Sequence, residues 1–394
     1  MKTINVILHR QEGTARFNDN EQRWPSGLSV FDKLCAYRQS LDPELKCDIK
    51  IEYMGQHDPN SFNVLFSNMP RDSLQFEFEE QHAQPDLTIL DNSSEPLSST
   101  STPVLIDRLG HERTLLQVNS VFGGDKKHLN QNIIPWMDCI EIYRDNYSKP
   151  TSPLHFLPHQ QYTRNNTVCY INGENRANRH HFATVLHSKD PNIHYVNKIS
   201  NPGEIRGLHD ASDRIEDRYD TEFRNFVNSE YNAQFDLPNR YWAIDIGSQG
   251  KFGDLNIGFF PLPEYFEHSV VAYPECPWVN SEIEITEKAL KCFYYGCLPF
   301  PVAGAHTNEL YEHFGFRTAW HLLPLEHKTF DQELDHRVRY NAAAEALIWL
   351  SKNPKILTSD MFQHLIKHNQ LAINSFRCEE HATKKLNTFI ESKF

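Results

Sequence analysis

The sequence has 394 residues, 39% apolar and 23% charged, with 25 Phe, 16 Tyr and 6 Trp, enough for two domains whose cores carry much aromatic mass. Its formal net charge of -13 argues against a protein that binds by neutralising nucleic-acid phosphates over a broad face. No run of about 20 apolar residues is present to span a bilayer, and the first residues, MKTINVILHRQEG, break too soon for a signal peptide, so a cytoplasmic protein is expected.

In chain order, residues 4–8 (INVIL) read as a first buried strand, followed by a polar segment and a helix around 30–41. Short apolar runs at 48–53, 63–66, 86–90 and 103–106 read as further strands of an α/β sheet covered on both faces. Residues 1–150 are thus expected to form a first Rossmann-like domain. A polar, Pro-containing stretch at 146–166 looks like a connection, with the linker proper at 151–166.

The pattern then restarts. Residues 168–171 read as a strand, 177–187 as a helix and 193–196 as a strand, a β-α-β unit whose polar loop, NGENRANR, lies at the carboxyl end of its first strand, where α/β folds place ligands. Helices at 221–231, 286–295 and 308–314 and strands at 269–272 and 298–302 complete a second Rossmann-like domain over 167–330. The remainder, 331–394, reads as helical, clearest at 331–350 and 359–371, with a third helix from about 372. The acidic cluster at 210–220 alternates with Arg and reads as a solvated helix.

The eight cysteines form no CxxC pair and read as buried reduced thiols, and the 21 histidines contain no HExxH, so no metal site is expected. The most informative stretch is 281–316. Thr286 is well placed as an N-cap, so the N–H groups of the next turn present the positive helix end that attracts phosphate. Lys288 adds a full charge, and Glu287 offers two acceptor oxygens that suit the hydroxyls of a ribose. In the loop after the 168–171 strand, Asn175, Arg176 and Arg179 are candidates for a second grip, since a guanidinium can bind a diphosphate through two parallel hydrogen bonds. Either arginine could equally be part of a solvated helix start. Tyr273 and Trp278 could stack on a base or could be packing, and the run Phe293-Tyr294-Tyr295 reads as core and nucleobase wall.

The string TEKxxK at 286–291, followed by Gly296, Pro299, Phe300, Gly304, Leu310 and Gly315-Phe316, resembles the nucleotide-sugar motif of α1,3-fucosyltransferase-like enzymes. It resembles still more closely a group of glycosyltransferase-like proteins of bacteriophages. The likeness covers chiefly 168–350. Two departures touch the loop near the sugar: Cys292 stands where the family has Pro, and Gly304-Ala305-His306 replaces a Gly-Gly or Gly-Pro loop. The resemblance implies a GT-B fold, two Rossmann-like domains facing a cleft with a helical C-terminal segment. It implies Glu287 on the ribose and Lys288 on the diphosphate, with Lys291 also in the donor motif, and Arg179 as the preferred basic residue just inside its helix. The donor would be a GDP- or UDP-linked sugar acting as co-substrate, with no other cofactor. The acceptor would be a glycan or a modified nucleobase.

An inverting transfer also needs a base for the acceptor hydroxyl, and Asp91 and Glu95, just after the 86–90 strand, are candidates. Asp91 could instead cap a turn and Glu95 simply be exposed. No DxD at a strand end points to a metal-dependent enzyme. Two other readings stand beside glycosyl transfer: a non-catalytic nucleotide- or glycan-binding protein on the same fold, and a dinucleotide-dependent oxidoreductase, which lacks the expected GxGxxG.

Overall fold

A computed structural model describes residues 2–11, 45–54, 87–92, 164–172, 177–190, 192–197, 264–275 and 282–393, and, within 106–144, residues 106, 107, 110, 112, 114–118, 120–123, 130–135, 137, 140 and 144. The chain forms two compact units, Met1–Asp138 with Arg377–Phe394, and Cys139–Phe376. The segment 331–394 therefore runs through both. The expected elements at 30–41, 63–66, 210–220 and 221–231 lie outside the described residues.

In the first unit, β1 (Lys2–Gln11), β2 (Leu45–Met54), β3 (Leu87–Asn92), β4 (Thr114–Val118) and, after the short β5 (Ser120–Phe122), β6 (Ile133–Pro135) supply a parallel sheet in the order β2-β1-β3-β4-β6. This is the strand order of a doubly wound sheet, which reverses beside β1. The apolar run INVIL lies in the interior of the sheet, Val6 pairing Ile49 on one side and Leu87 on the other. Asn132 Nδ2 donates to Thr114 O at 2.8 Å and ties the start of β6 to β4. The C-terminal helix, Cys378–Lys393, packs on β6 and buries Cys378, Ala382, Leu386 and Phe389, a stripe at helical spacing. Of the expected strand at 103–106 only Ile106 is among the described residues, and it is helical together with Asp107, since a short apolar run suits a buried helix turn as well as a strand.

In the second unit the elements are β7 (Asn165–Asn172), α1 (Ala177–Lys189), β8 (His194–Asn197), α2 (Glu264–Glu267), β9 (His268–Pro274), β10 (Glu282–Glu284), α3 (Glu287–Tyr295), β11 (Leu298–Val302), α4 (Thr307–His313), α5 (Leu325–Lys328), α6 (His336–Lys352) and α7 (Asp360–Ser375). β11, β9, β7 and β8 form a parallel sheet in that order. Every residue of β9 and β11 is buried, as expected of strands covered on both faces. α6 packs on α1, with Phe182 5.3 Å from Tyr170 and 6.3 Å from Tyr340 between ring centres, while α7 packs on α3. The third long helix begins at Cys378 rather than near 372, since α7 continues to Ser375 before the chain leaves it.

Two glycines of the 286–316 motif are helix stops. Gly296 (φ 75°) follows α3 in the left-handed region, and its N–H and that of Cys297 both reach Cys292 O at 3.0 Å, closing the helix and bringing the two buried cysteines together. The Arg164 guanidinium donates to the carbonyls of Gly296 and Tyr295, a cation on the negative end of the helix. Gly315 (φ 84°) ends the α4 turn in the same way, and Phe316 then stacks on Phe293 at 4.6 Å. The described cysteines 169, 292, 297 and 378 are buried and form no disulfide. Among the described residues no helix is long and apolar enough to cross a membrane.

Two outcomes follow from these helix ends. Gly296→Ala should lower stability by about 1–2 kcal/mol through left-handed strain alone, since the added methyl would meet its nearest neighbours at an ordinary 3.4–3.5 Å; an unchanged urea midpoint would contradict this. Asp335 caps α6 by accepting from the N–H groups of Arg337 (2.8 Å) and Val338 (3.3 Å). Burial pushes its carboxyl up, but those N–H groups, together with the neighbouring His336 and Arg337 side chains, outweigh burial and hold it below its ordinary value. A depressed carboxyl stabilises at neutral pH and loses that contribution as pH falls through its folded-state value. Asp335→Ala should therefore cost about 1 kcal/mol at pH 7, and the gap to wild type should close on acidification.

Candidate functional site

From β7 the chain goes out to β8 on one side, then returns to β9 on the other. The carboxyl ends of β7 and β9 thus flank the point where strand order reverses, the place where open α/β sheets leave a crevice for ligands. β9 is apolar along Val270-Val271-Ala272 and ends at Pro274, and the next residue is Glu275, whose N–H donates to Val302 O at 3.0 Å.

Glu275 is 0% exposed. A carboxylate so placed has lost its water and must be met by protein donors. Its Oε1 accepts from Thr286 Oγ1 at 2.6 Å, and its Oε2 accepts from Lys288 Nζ at 3.2 Å. The ammonium also lies 3.3 Å from Thr286 Oγ1, which closes a three-residue network at the start of α3. Thr286 stands at the N-cap in extended conformation, and its carbonyl accepts from Ala289 and Leu290. Its hydroxyl makes no capping bond to the helix, having turned to Glu275 instead. The Lys288 side chain is 15% exposed, so the ammonium is fixed in place yet reaches the surface. Its charge is balanced by Glu275 beside the positive end of α3.

Of the other residues expected at the donor site, Glu287 opens α3 and Arg179 lies in the first turn of α1, but their side chains are outside the described residues. Asn175, Arg176 and Glu95 are outside them altogether. Asp91 lies within β3 rather than after it, near its carboxyl end, with backbone register to Gln117 of β4. Two expectations are corrected by burial. Tyr273 is 0% exposed, and its hydroxyl is 3.2 Å from that of Tyr311, so the ring is core and offers no face to a nucleobase. Burial foremost, and then the neighbouring Tyr311, pushes its phenol well above the ordinary range. Lys291 is 3% exposed and its ammonium sits 5.9 Å from the centre of the Tyr265 ring, inside the unit rather than at the rim.

Sequence reasoning passed over Glu275. Its signal was a single acidic residue directly after the apolar run SVVAYP, at the ligand-facing end of a strand. Beside it, the loop after β11 runs through Ala303 to His306. This loop is pinned from behind by Arg339, whose Nε donates to Ala303 O at 2.8 Å, and by Asp331, whose Oδ1 accepts from Asn308 N at 3.0 Å and Asn308 Nδ2 at 2.8 Å. Burial pushes the Asp331 carboxyl up against the opposing effect of the Asn308 bonds. Among the described residues no group of three or more His, Cys, Asp or Glu side chains could hold a metal ion.

No protein-family description matches the chain, and no curated protein does. Among solved structures it is similar to a glycosyltransferase from Rickettsia africae ESF-5, at 10% identity and a TM-score of 0.40, covering 99% of each chain. Likeness at that level carries no argument about activity or substrate.

The network makes a distinction that can be measured. Glu275→Ala removes an acceptor from a mostly buried ammonium and should cost about 2–4 kcal/mol in urea denaturation. Glu275→Gln keeps the shape and an acceptor oxygen for Thr286, and should cost less than half as much. Equal losses in the two variants would show that charge and hydrogen bonding at this position do not matter.

Proposed function

We propose that the protein is a glycosyltransferase of the GT-B type that moves a sugar from a nucleotide-sugar donor to a hydroxyl acceptor, inverting the anomeric centre without a resident metal. The observation that carries this reading is the Lys288 ammonium, held by buried Glu275 at the start of α3 and at the carboxyl end of the second unit's sheet. A nucleoside diphosphate is the ligand that best fits an ammonium beside a helix start at such an edge. The parallel sheet in each unit is what a GT-B architecture requires of its halves.

In the proposed reaction the acceptor oxygen bonds to the anomeric carbon, the bond from that carbon to the phosphate oxygen breaks, and the electron pair leaves with the diphosphate. Lys288 and the N–H groups of α3 stabilise the charge that develops there, with Arg176 or Arg179 as a second cation and Asn175 beside them. Glu287 takes the ribose hydroxyls. The acceptor proton passes to a carboxylate, for which Asp91 and Glu95 are the candidates. The acceptor is a glycan or a modified nucleobase.

Thermal shift against UDP-, GDP-, CMP- and dTDP-sugars tests the reading. At about 100 times its Kd a ligand stabilises the folded state by about 2.7 kcal/mol, so at least one donor should raise the Tm by several degrees. Lys288→Ala should abolish that rise, and because it also leaves buried Glu275 without its cation, the double variant Lys288→Ala with Glu275→Gln, which relieves that charge, should abolish it as well. A rise that survives the substitution, or no rise with any donor, would refute the assignment.

A further inference from the structure

We propose that His306 reads the sugar of the donor, its Nε2 accepting a hydrogen bond from a sugar hydroxyl, and so helps to decide which sugar is transferred. The inference rests on the nucleotide-sugar reading above. Its basis is a side chain that the backbone does not call for.

Among the described residues other than glycine, His306 alone has a positive φ, 69°. The conformation is imposed from both sides: the His306 N–H donates to Asp331 O, and its carbonyl accepts from Leu310 N at 3.1 Å. The turn before it is closed by Thr307 Oγ1, which donates to Gly304 O at 2.6 Å. Glycine would sit there without strain, and asparagine with less. A strained residue that persists in such a place points to a use for its side chain.

The imidazole is oriented. Its Nδ1 is 2.8 Å from Glu309 Oε1, one turn further along α4. A carboxylate only accepts, so Nδ1 carries a proton, and in the neutral form of the ring this tautomer leaves Nε2 as the acceptor. No described residue bonds to Nε2, and the side chain is 18% exposed. The partner that suits a lone pair backed by a carboxylate is a hydroxyl, because Glu309 repels phosphate. Position agrees with chemistry. Glu275 N–H donates to Val302 O, so the loop leading to His306 starts beside the carboxylate that holds Lys288.

The test is His306→Gly, which removes the imidazole and suits the backbone. Wild type and variant are titrated calorimetrically with UDP, UDP-glucose, GDP and GDP-fucose. The Tm of the variant should be unchanged or higher, and its affinity for the better free diphosphate should stay within about twofold. The affinity for the matching nucleotide sugar should fall about tenfold, the size of one good hydrogen bond. If the diphosphate binds wild type but the ratio of sugar-linked to free affinity is the same in both proteins, this proposal falls and the nucleotide-sugar reading stands. If no diphosphate or nucleotide sugar binds wild type, both fall.

Discussion

A fully buried carboxylate at the end of an apolar strand is the constraint from which the site follows. Glu275 has no access to water, and stripping a carboxylate of its hydration costs several kcal/mol unless donors replace it. Thr286 and Lys288 are those donors, and both lie at the start of α3. Satisfying Glu275 therefore fixes where α3 begins relative to the central strands, and holds the Lys288 ammonium in one place rather than letting a long side chain sample solvent. Such prior ordering is what an electrostatic site requires, since groups already in position need no reorganisation when charge develops.

The spaced residues of the 286–316 stretch divide into two kinds. Gly296 and Gly315 stop helices, Phe316 stacks on Phe293, and Phe300 packs 5.6 Å from Phe330, all matters of folding. Thr286 and Lys288 meet Glu275 at the strand end and are the residues to which the proposed reading gives the chemistry. The spacing that makes the stretch look like a nucleotide-sugar motif is thus mostly the spacing of a helix, its stop, a buried strand and a second helix stop. Position is what gives the few polar residues their meaning.

Much of this was legible in the residues. The strand at 298–302 and the helix from 286 to 295 were evident because a Thr cap, an amphipathic run, a Gly stop and an uninterrupted apolar strand follow each other without ambiguity. The strand order was not, since register between distant segments leaves no local trace. Glu275 escaped notice because its importance comes from burial, which a sequence does not display. Tyr273 and Lys291 misled for the matching reason: each has a polar tip and an apolar body, and only the packing of Tyr311 and Tyr265 against them decides that both face inward. Ile106 is helical rather than extended because the apolar run around it is too short for its period to separate strand from helix.

The most direct measurement is a crystal structure of the protein soaked with a nucleoside diphosphate. The account predicts phosphate oxygens at about 3 Å from Lys288 Nζ and from the first N–H groups of α3, with the bond from Lys288 to Glu275 retained. Diphosphate bound elsewhere on the chain, with none of its oxygens at Lys288, would contradict it.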